Sequence, residues 1–242
     1  MKKLIAVIEL LLILVVFVCA GFLGLYFYQG HKTKTEIEEI KEQIPEEVDY
    51  TKYRDGIFDA YYDLYTQNED FSGWIKVPGT AIDYPVMQAG DNEFYLHRDF
   101  NKAYRYSGIP FADYQCDLYT PGANIIIYAH NMKDGSMFAT LSKYKDKTFY
   151  EQNKIISFNT LYDTGEYEVI GAFRTTPKRF NYHEFTDDQS RADFDTFISG
   201  VKRLSLYDTG VSAEYGDKLL TLSTCAYNSD DERFVVVAKK ID

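Results

Sequence analysis

The chain of 242 residues carries 26 Lys+Arg against 37 Asp+Glu, a formal net charge of −11 with a pI near 4.9. That balance excludes a typical nucleic-acid binder, which needs a basic face to meet phosphates. Hydrophobic content of 45% and charged content of 26% exclude wholesale disorder, and three cysteines are too few for a disulfide framework.

The first thirty residues differ from the rest. Met1-Lys2-Lys3 opens the chain, Leu10 to Tyr28 holds no charge, and Glu9 is the single charged residue between Lys3 and Lys32. This apolar run, extended by Leu4 to Ile8, suffices for a helix across the ~30 Å hydrocarbon core of a bilayer. Lys2 and Lys3 favour the cytoplasmic side and so place the remainder outside the cell. A cleaved signal peptide competes with this reading, with Val18-Cys19-Ala20 as its small-residue site. The run continues past that site through Phe22, Leu23, Leu25, Tyr26 and Phe27, which favours a retained single-pass anchor over residues 1–31.

From Lys32 to Asp49 charges dominate, with Ile37, Ile40 and Ile44 at helical spacing and Pro45 ending the pattern. This predicts a short amphipathic helix serving as a spacer. Ile57, Phe58, Tyr61, Tyr62 and Tyr65 predict a second helix between Tyr50 and Tyr65, completing a helical stalk and lead-in over 32–69. Beyond Asp70 the period becomes that of strands. Trp74–Val77 and Ala81–Val86 flank a Pro78-Gly79 turn, and Ile125–Tyr128, Ile155–Phe158, Tyr167–Phe173, Leu219–Leu222 and Phe234–Val237 follow. Phe194, Phe197, Ile198 and Val201 predict a helix over Arg191–Leu204. Many short strands, few helices and 22 Tyr with 17 Phe predict a mainly β domain over 70–242, closed or nearly closed, although periodicity does not separate a barrel from a sandwich.

Three segments could carry chemistry. Ile125–Tyr128 runs into Ala129-His130-Asn131, Leu219–Thr224 ends in Cys225, and Arg233 begins the strand that follows. The connection from Tyr227 to Glu232 is short enough to bring Cys225 beside Arg233 at one rim of a sheet. Each residue also has a plain structural reading: a small core thiol, a turn-bonded imidazole, an arginine paired with Asp230 or Asp231. Together they make coherent chemistry, with a thiolate to attack an acyl carbon, an imidazolium to protonate a departing amine and a fixed cation for the oxyanion.

At this point the residues carry a resemblance. Asp70-Phe71-Ser72-Gly73-Trp74-Ile75, Ile82-Asp83-Tyr84-Pro85-Val86, Ile127-Tyr128-Ala129-His130-Asn131-Met132, Thr221-Leu222-Ser223-Thr224-Cys225 and Arg233-Phe234-Val235-Val236-Val237 together resemble a sortase, and within that family class B. The resemblance covers about Phe71 to Ile241. It implies an eight-stranded β-barrel with N-terminal helices and one helix before the cysteine strand. It also implies a cysteine transpeptidase that cuts the C-terminal sorting signal of a secreted protein and joins it to an amine, usually of the cell-wall precursor lipid II, at a Gram-positive cell surface. No cofactor and no metal are expected. By motif, Cys225 is the nucleophile, His130 the acid/base, Arg233 the oxyanion and substrate clamp, and Asn92, Leu96, Tyr182 and Ser223 line the substrate.

Two positions depart from better-known members. Pro177 stands where some relatives use Thr, and Ala226 replaces an acidic residue. Leu96 also reads as plain core, and Asn92 as a residue closing a turn with Asp91. His97 and His183 read as surface histidines, and Cys116 as a free thiol in a loop. Other outcomes of the same chemistry remain open: a pilin-polymerising sortase using a lysine acceptor, or a cysteine protease releasing its product to water.

Overall fold

The computed structural model describes residues 2–187, 190–225 and 231–241; the side chains of Lys2, Lys3, Ala6, Tyr26 and Cys225 lie outside that description. In chain order the elements are α1 (Lys2–Lys41), β1 (Tyr53–Arg54), β2 (Ile57–Phe58), α2 (Asp59–Gln67), β3 (Phe71–Lys76), β4 (Asp83–Met87), β5 (Phe111–Ala112), β6 (Asn124–Tyr128), α3 (Lys147–Gln152), β7 (Ile155–Thr160), β8 (Glu166–Thr175), α4 (Arg191–Leu204), β9 (Leu219–Cys225) and β10 (Arg233–Lys240). Short 3-10 turns at Phe94–His97, Ala139–Lys145 and Tyr182–Glu184 interrupt the loops. Eight strands close a barrel in the order β10-β8-β7-β3-β4-β5-β6-β9. The pairings β4–β5 and β6–β9 are parallel, and the other six are antiparallel.

The near-continuous apolar reading of β10 has a topological cause. Phe234, Val236 and Ala238 pack into one cluster with Leu220 and Leu222 of β9, inside the barrel. Val235 and Val237 alternate to the opposite face, where α4 covers them with Phe194, Phe197, Ile198 and Val201. α4 begins where expected because the Ser190 hydroxyl caps it, accepting from the Asp193 N–H at 3.2 Å. Ser223 and Arg233 lie further along this outer face, and there the cover gives way to a cleft.

The lead-in differs from its expected form in two ways. The predicted anchor and stalk are one helix, α1, and the stalk is docked on the barrel: Ile37 and Ile40 are buried, each contributing up to about 2 kcal/mol by area. Arg105, 6% exposed, donates to both oxygens of Glu36 at 2.8 Å and to Asp99 at 2.6 Å, tying α1 to the 98–107 loop. Charged residues at the other helical positions conceal this docking in the sequence. The helix predicted over Tyr50–Tyr65 begins only at Asp59, because Asp55 and Gly56 both take positive φ (52° and 82°) and turn β1 into β2 as a hairpin. The apolar part of α1 is exposed, and by length and composition α1 could cross a membrane.

Candidate active site

Three adjacent barrel strands, β6, β9 and β10, position Cys225, Arg233, Ser223 and, just past the end of β6, His130. β6 runs parallel to β9, with Tyr128 opposite Ser223, and the Ala129 N–H donates onward to the Ser223 carbonyl at 3.3 Å. His130 follows immediately. β10 pairs antiparallel with β9 so that Arg233 stands directly opposite Cys225, and opposite Thr175 on its other side. The expectation that a short connection brings the two together therefore holds at the level of backbone register. The Cys225 side chain and residues 226–230, including Ala226, lie outside the described residues.

A cleft of about 250 Å³ opens over this rim, lined by Asn92, Leu96, Tyr128, His130, Pro177, Tyr182, His183, Ser223, Thr224 and Arg233 among others. Every predicted lining residue is present in it. Leu96 is half-buried, and its carbonyl does more than its side chain: His130 Nε2 lies 2.9 Å from the Leu96 oxygen. A carbonyl only accepts, so Nε2 carries the proton and Nδ1 is the nitrogen left for proton exchange. Gly108 permits this arrangement. It sits at φ +55°, and a Cβ there would overlap the Leu96 and Tyr95 carbonyls. Half-burial of His130 is the main cause holding its imidazole below the ordinary range. The neighbouring His97 pushes the same way, and the Leu96 hydrogen bond opposes them.

Asn92 does not close a turn with Asp91; Asp91 accepts from the Glu93 and Phe94 N–H groups instead. Asn92 Nδ2 donates to the Asp113 carboxylate at 2.9 Å, and its oxygen accepts from the Tyr114 N–H at 3.1 Å. The Tyr128 hydroxyl donates to that same Asp113 oxygen at 2.9 Å, so a buried carboxylate organises two cleft residues. Tyr182 and Ser223 join hydroxyl to hydroxyl at 2.7 Å, linking the 176–185 loop to β9. The same loop is pinned to α4 through Phe180 and Phe185, whose rings stack on Phe197 at 5.4 and 4.2 Å. Arg233 is half-buried, and one of its guanidinium nitrogens donates to the Glu232 carbonyl at 3.1 Å.

Several residues in or beside the cleft carried no functional signal in the sequence. His97 is exposed, as expected of a surface histidine, yet its ring stacks on His130 at 5.5 Å. His183 lines the cleft wall, and among the described residues its buried Nδ1 has no hydrogen-bond partner, nor has the buried Thr224 hydroxyl. A single histidine in a loop carries no periodic signal, so only the fold could have found these. Cys116 is free and lies in the loop between β5 and β6, as expected, and it is buried there. Its sulfur accepts from the Ile126 N–H at 3.4 Å, and burial pushes the thiol up to about 12. Among the described residues no group of three or more His, Cys, Asp or Glu is arranged to hold a metal ion.

Residues 75–241 match the sortase domain family. Sortase B of Staphylococcus aureus is 31% identical over 243 aligned residues, covering 100% of this chain and 98% of that protein. Sortase B of Listeria monocytogenes is 34% identical, covering 96% and 94%. The structure of sortase B from B. anthracis in complex with AAEK1 superposes with a TM-score of 0.80 at 31% identity, covering 89% of this chain and 99% of that one. A Staphylococcus aureus sortase B–substrate complex superposes at 0.79 with 32% identity over the same shares. With a closed barrel of the expected strand count and full-length similarity to two sortase B proteins, the chain belongs to the sortase family, in its class B branch, and is a cysteine transpeptidase.

Proposed function

We propose that Cys225, His130 and Arg233 carry the transpeptidation, and that the acyl donor is the C-terminal sorting signal of a secreted protein. The observation that supports this most strongly is the register that sets Arg233 opposite Cys225, at the rim of the cleft that also receives His130. In this reading the neutral imidazole takes the thiol proton on Nδ1. The thiolate adds to the scissile carbonyl carbon, and the guanidinium fork stabilises the resulting oxyanion. Collapse breaks the C–N bond, His130 returns the proton to the departing amine, and a thioester remains. An incoming amine then attacks the thioester, gives its proton to the imidazole, and expels the thiolate.

Asn92, Leu96, Tyr182 and Ser223 are assigned to the walls that hold the peptide. The His183 Nδ1 and the Thr224 hydroxyl, without a hydrogen-bond partner among the described residues, offer a bound peptide two further polar partners. The apolar half of α1 anchors the enzyme in the cell membrane as a single pass with the barrel outside, which suits an amine acceptor of the wall-precursor type. Protease applied to intact protoplasts removes the barrel if this topology is right and leaves it whole if it is wrong.

The decisive experiment incubates the full chain with candidate sorting peptides and an amine acceptor and identifies the products by mass spectrometry. The expected product is the peptide's N-terminal fragment joined to the amine, with Cys225→Ala abolishing both cleavage and transfer while the circular dichroism spectrum is unchanged. Release of the free acid alone would mean a hydrolase, and preference for a lysine side chain over a wall-type amine would mean a pilin polymerase. Retained turnover in Cys225→Ala would refute the nucleophile.

A further inference from the structure

The 3-10 turn Phe94–His97 meets His130 twice. Leu96 presents its carbonyl to Nε2, and the next residue, His97, lays its ring on the imidazole with centroids 5.5 Å apart and planes 25° from parallel. A hydrogen bond at one nitrogen fixes a point of the ring but leaves its tilt free. A stacked ring fixes the plane but leaves sliding within it. The two contacts together define the imidazole's position, and both come from adjacent residues of one turn.

His97 is itself held in place. Its carbonyl accepts from the Arg105 N–H at 2.9 Å, and its ring lies 6.4 Å from Tyr106 and 6.2 Å from Tyr104. The Arg105 guanidinium is clamped between Asp99 and Glu36 of α1, so the turn rests on the docked helix. The His97 side chain is exposed. Core packing therefore does not account for its place. Among the described residues it is the one ring stacked on His130.

We infer that His97 is a positioning residue for His130 in acyl transfer: its ring sets the plane of the imidazole, and any positive charge on it opposes a positive charge on His130. The inference rests on the acid/base role proposed for His130 above. It concerns a second residue that motif comparison did not single out. A positive charge on His97 disfavours one on His130 and so acts in the same direction as burial, holding the His130 midpoint low. The other ionisable groups lining the cleft around His130 are Arg233 from β10, Tyr128 from β6, Tyr182 and His183 from the 182–184 turn, with Cys225 near by register. None of them changes in the variants below.

The test uses the full chain in lipid nanodiscs, with His97→Ala, His97→Phe and His130→Ala. The chain has 4 histidines, so imidazole-labelled NMR resolves and assigns each titration by substitution. With a sorting peptide that the wild-type chain cleaves, His97→Ala loses roughly tenfold in kcat with little change in KM, as expected when a reacting group is misplaced. His97→Phe keeps the stack without the charge. It recovers most of kcat, and the His130 midpoint rises, carrying the acidic limb of the pH–rate profile with it. A His130 midpoint unmoved in both His97 variants, or a His97→Ala enzyme with wild-type kcat, overturns the inference. His130→Ala separates the two readings: if it retains turnover, the acid/base assignment fails, while the NMR titration still decides whether His97 acts on His130.

Discussion

The two walls of the cleft are built by different means. One is strand: β6, β9 and β10 place Ser223, Cys225 and Arg233 by ladder register, backed by Phe234, Val236, Leu220 and Leu222 in the barrel interior. The other is turn and loop: the Phe94–His97 turn and the 131–138 segment hold His130 through the Leu96 carbonyl and the Phe138 N–H, and the 176–185 loop holds Tyr182 through Ser223. A ladder shares its load over many equivalent hydrogen bonds, so one altered side chain leaves the backbone where it was. A loop wall depends on single contacts, and losing one of them moves what it held. Substitutions on the strand wall should therefore change chemistry without stability. Those on the loop wall should change stability first and chemistry as a consequence.

Of the two substitutions that test this contrast, Arg233→Lys carries the larger expected effect. Lysine keeps the charge but lacks the planar fork that holds two oxygens at once. Turnover of a sorting peptide should fall by about 10²-fold, with KM changed much less, since the oxyanion exists only along the reaction path. Denaturant midpoints should stay close to wild type. A variant with near wild-type kcat/KM would remove the arginine from the chemistry and leave the strand wall without its cation.

Arg105→Met probes the other wall from behind. The substitution keeps the backbone N–H that bonds the His97 carbonyl but leaves Asp99 and Glu36 without their shared cation. Removing one member of a buried ionic cluster costs about 3 kcal/mol, read from urea unfolding of the full chain. Because the Phe94–His97 turn rests on this cluster, turnover should also decline, though less than in Arg233→Lys. Wild-type stability in this variant would show that the loop wall does not lean on α1, and would erase the contrast between the two walls.

Much of this protein was legible in one dimension. The helix Arg191–Leu204 and the long strands could be read because α4 buries one periodic stripe and each strand buries either one face or both. Cys225, His130 and Arg233 stood out as candidates because each sits beside a strong strand pattern, in motifs that resemble a known family. Other features left no such trace. β5 has two residues, too few for a period, and the β1–β2 hairpin lay hidden under tyrosines at helical spacing until the Asp55-Gly56 backbone decided otherwise. Ile37 and Ile40 looked like the face of a spacer because their partners, the barrel surface and the Arg105 cluster, lie more than sixty residues away along the chain for the ion pair.

The sequence by itself determined the long strands, the helix over Arg191–Leu204 and the apolar N-terminal run, and it offered Cys225, His130 and Arg233 as candidates for the chemistry, since all of these are local patterns of burial and spacing. Only the tertiary structure decided which groups surround the imidazole. The Leu96 carbonyl and the His97 ring reach His130 across a gap of more than thirty residues, and Asn92 and Tyr128 meet on Asp113 in the same way. Hydrogen-bond geometry and ring stacking act over a few ångströms of space, so no spacing along the chain encodes them.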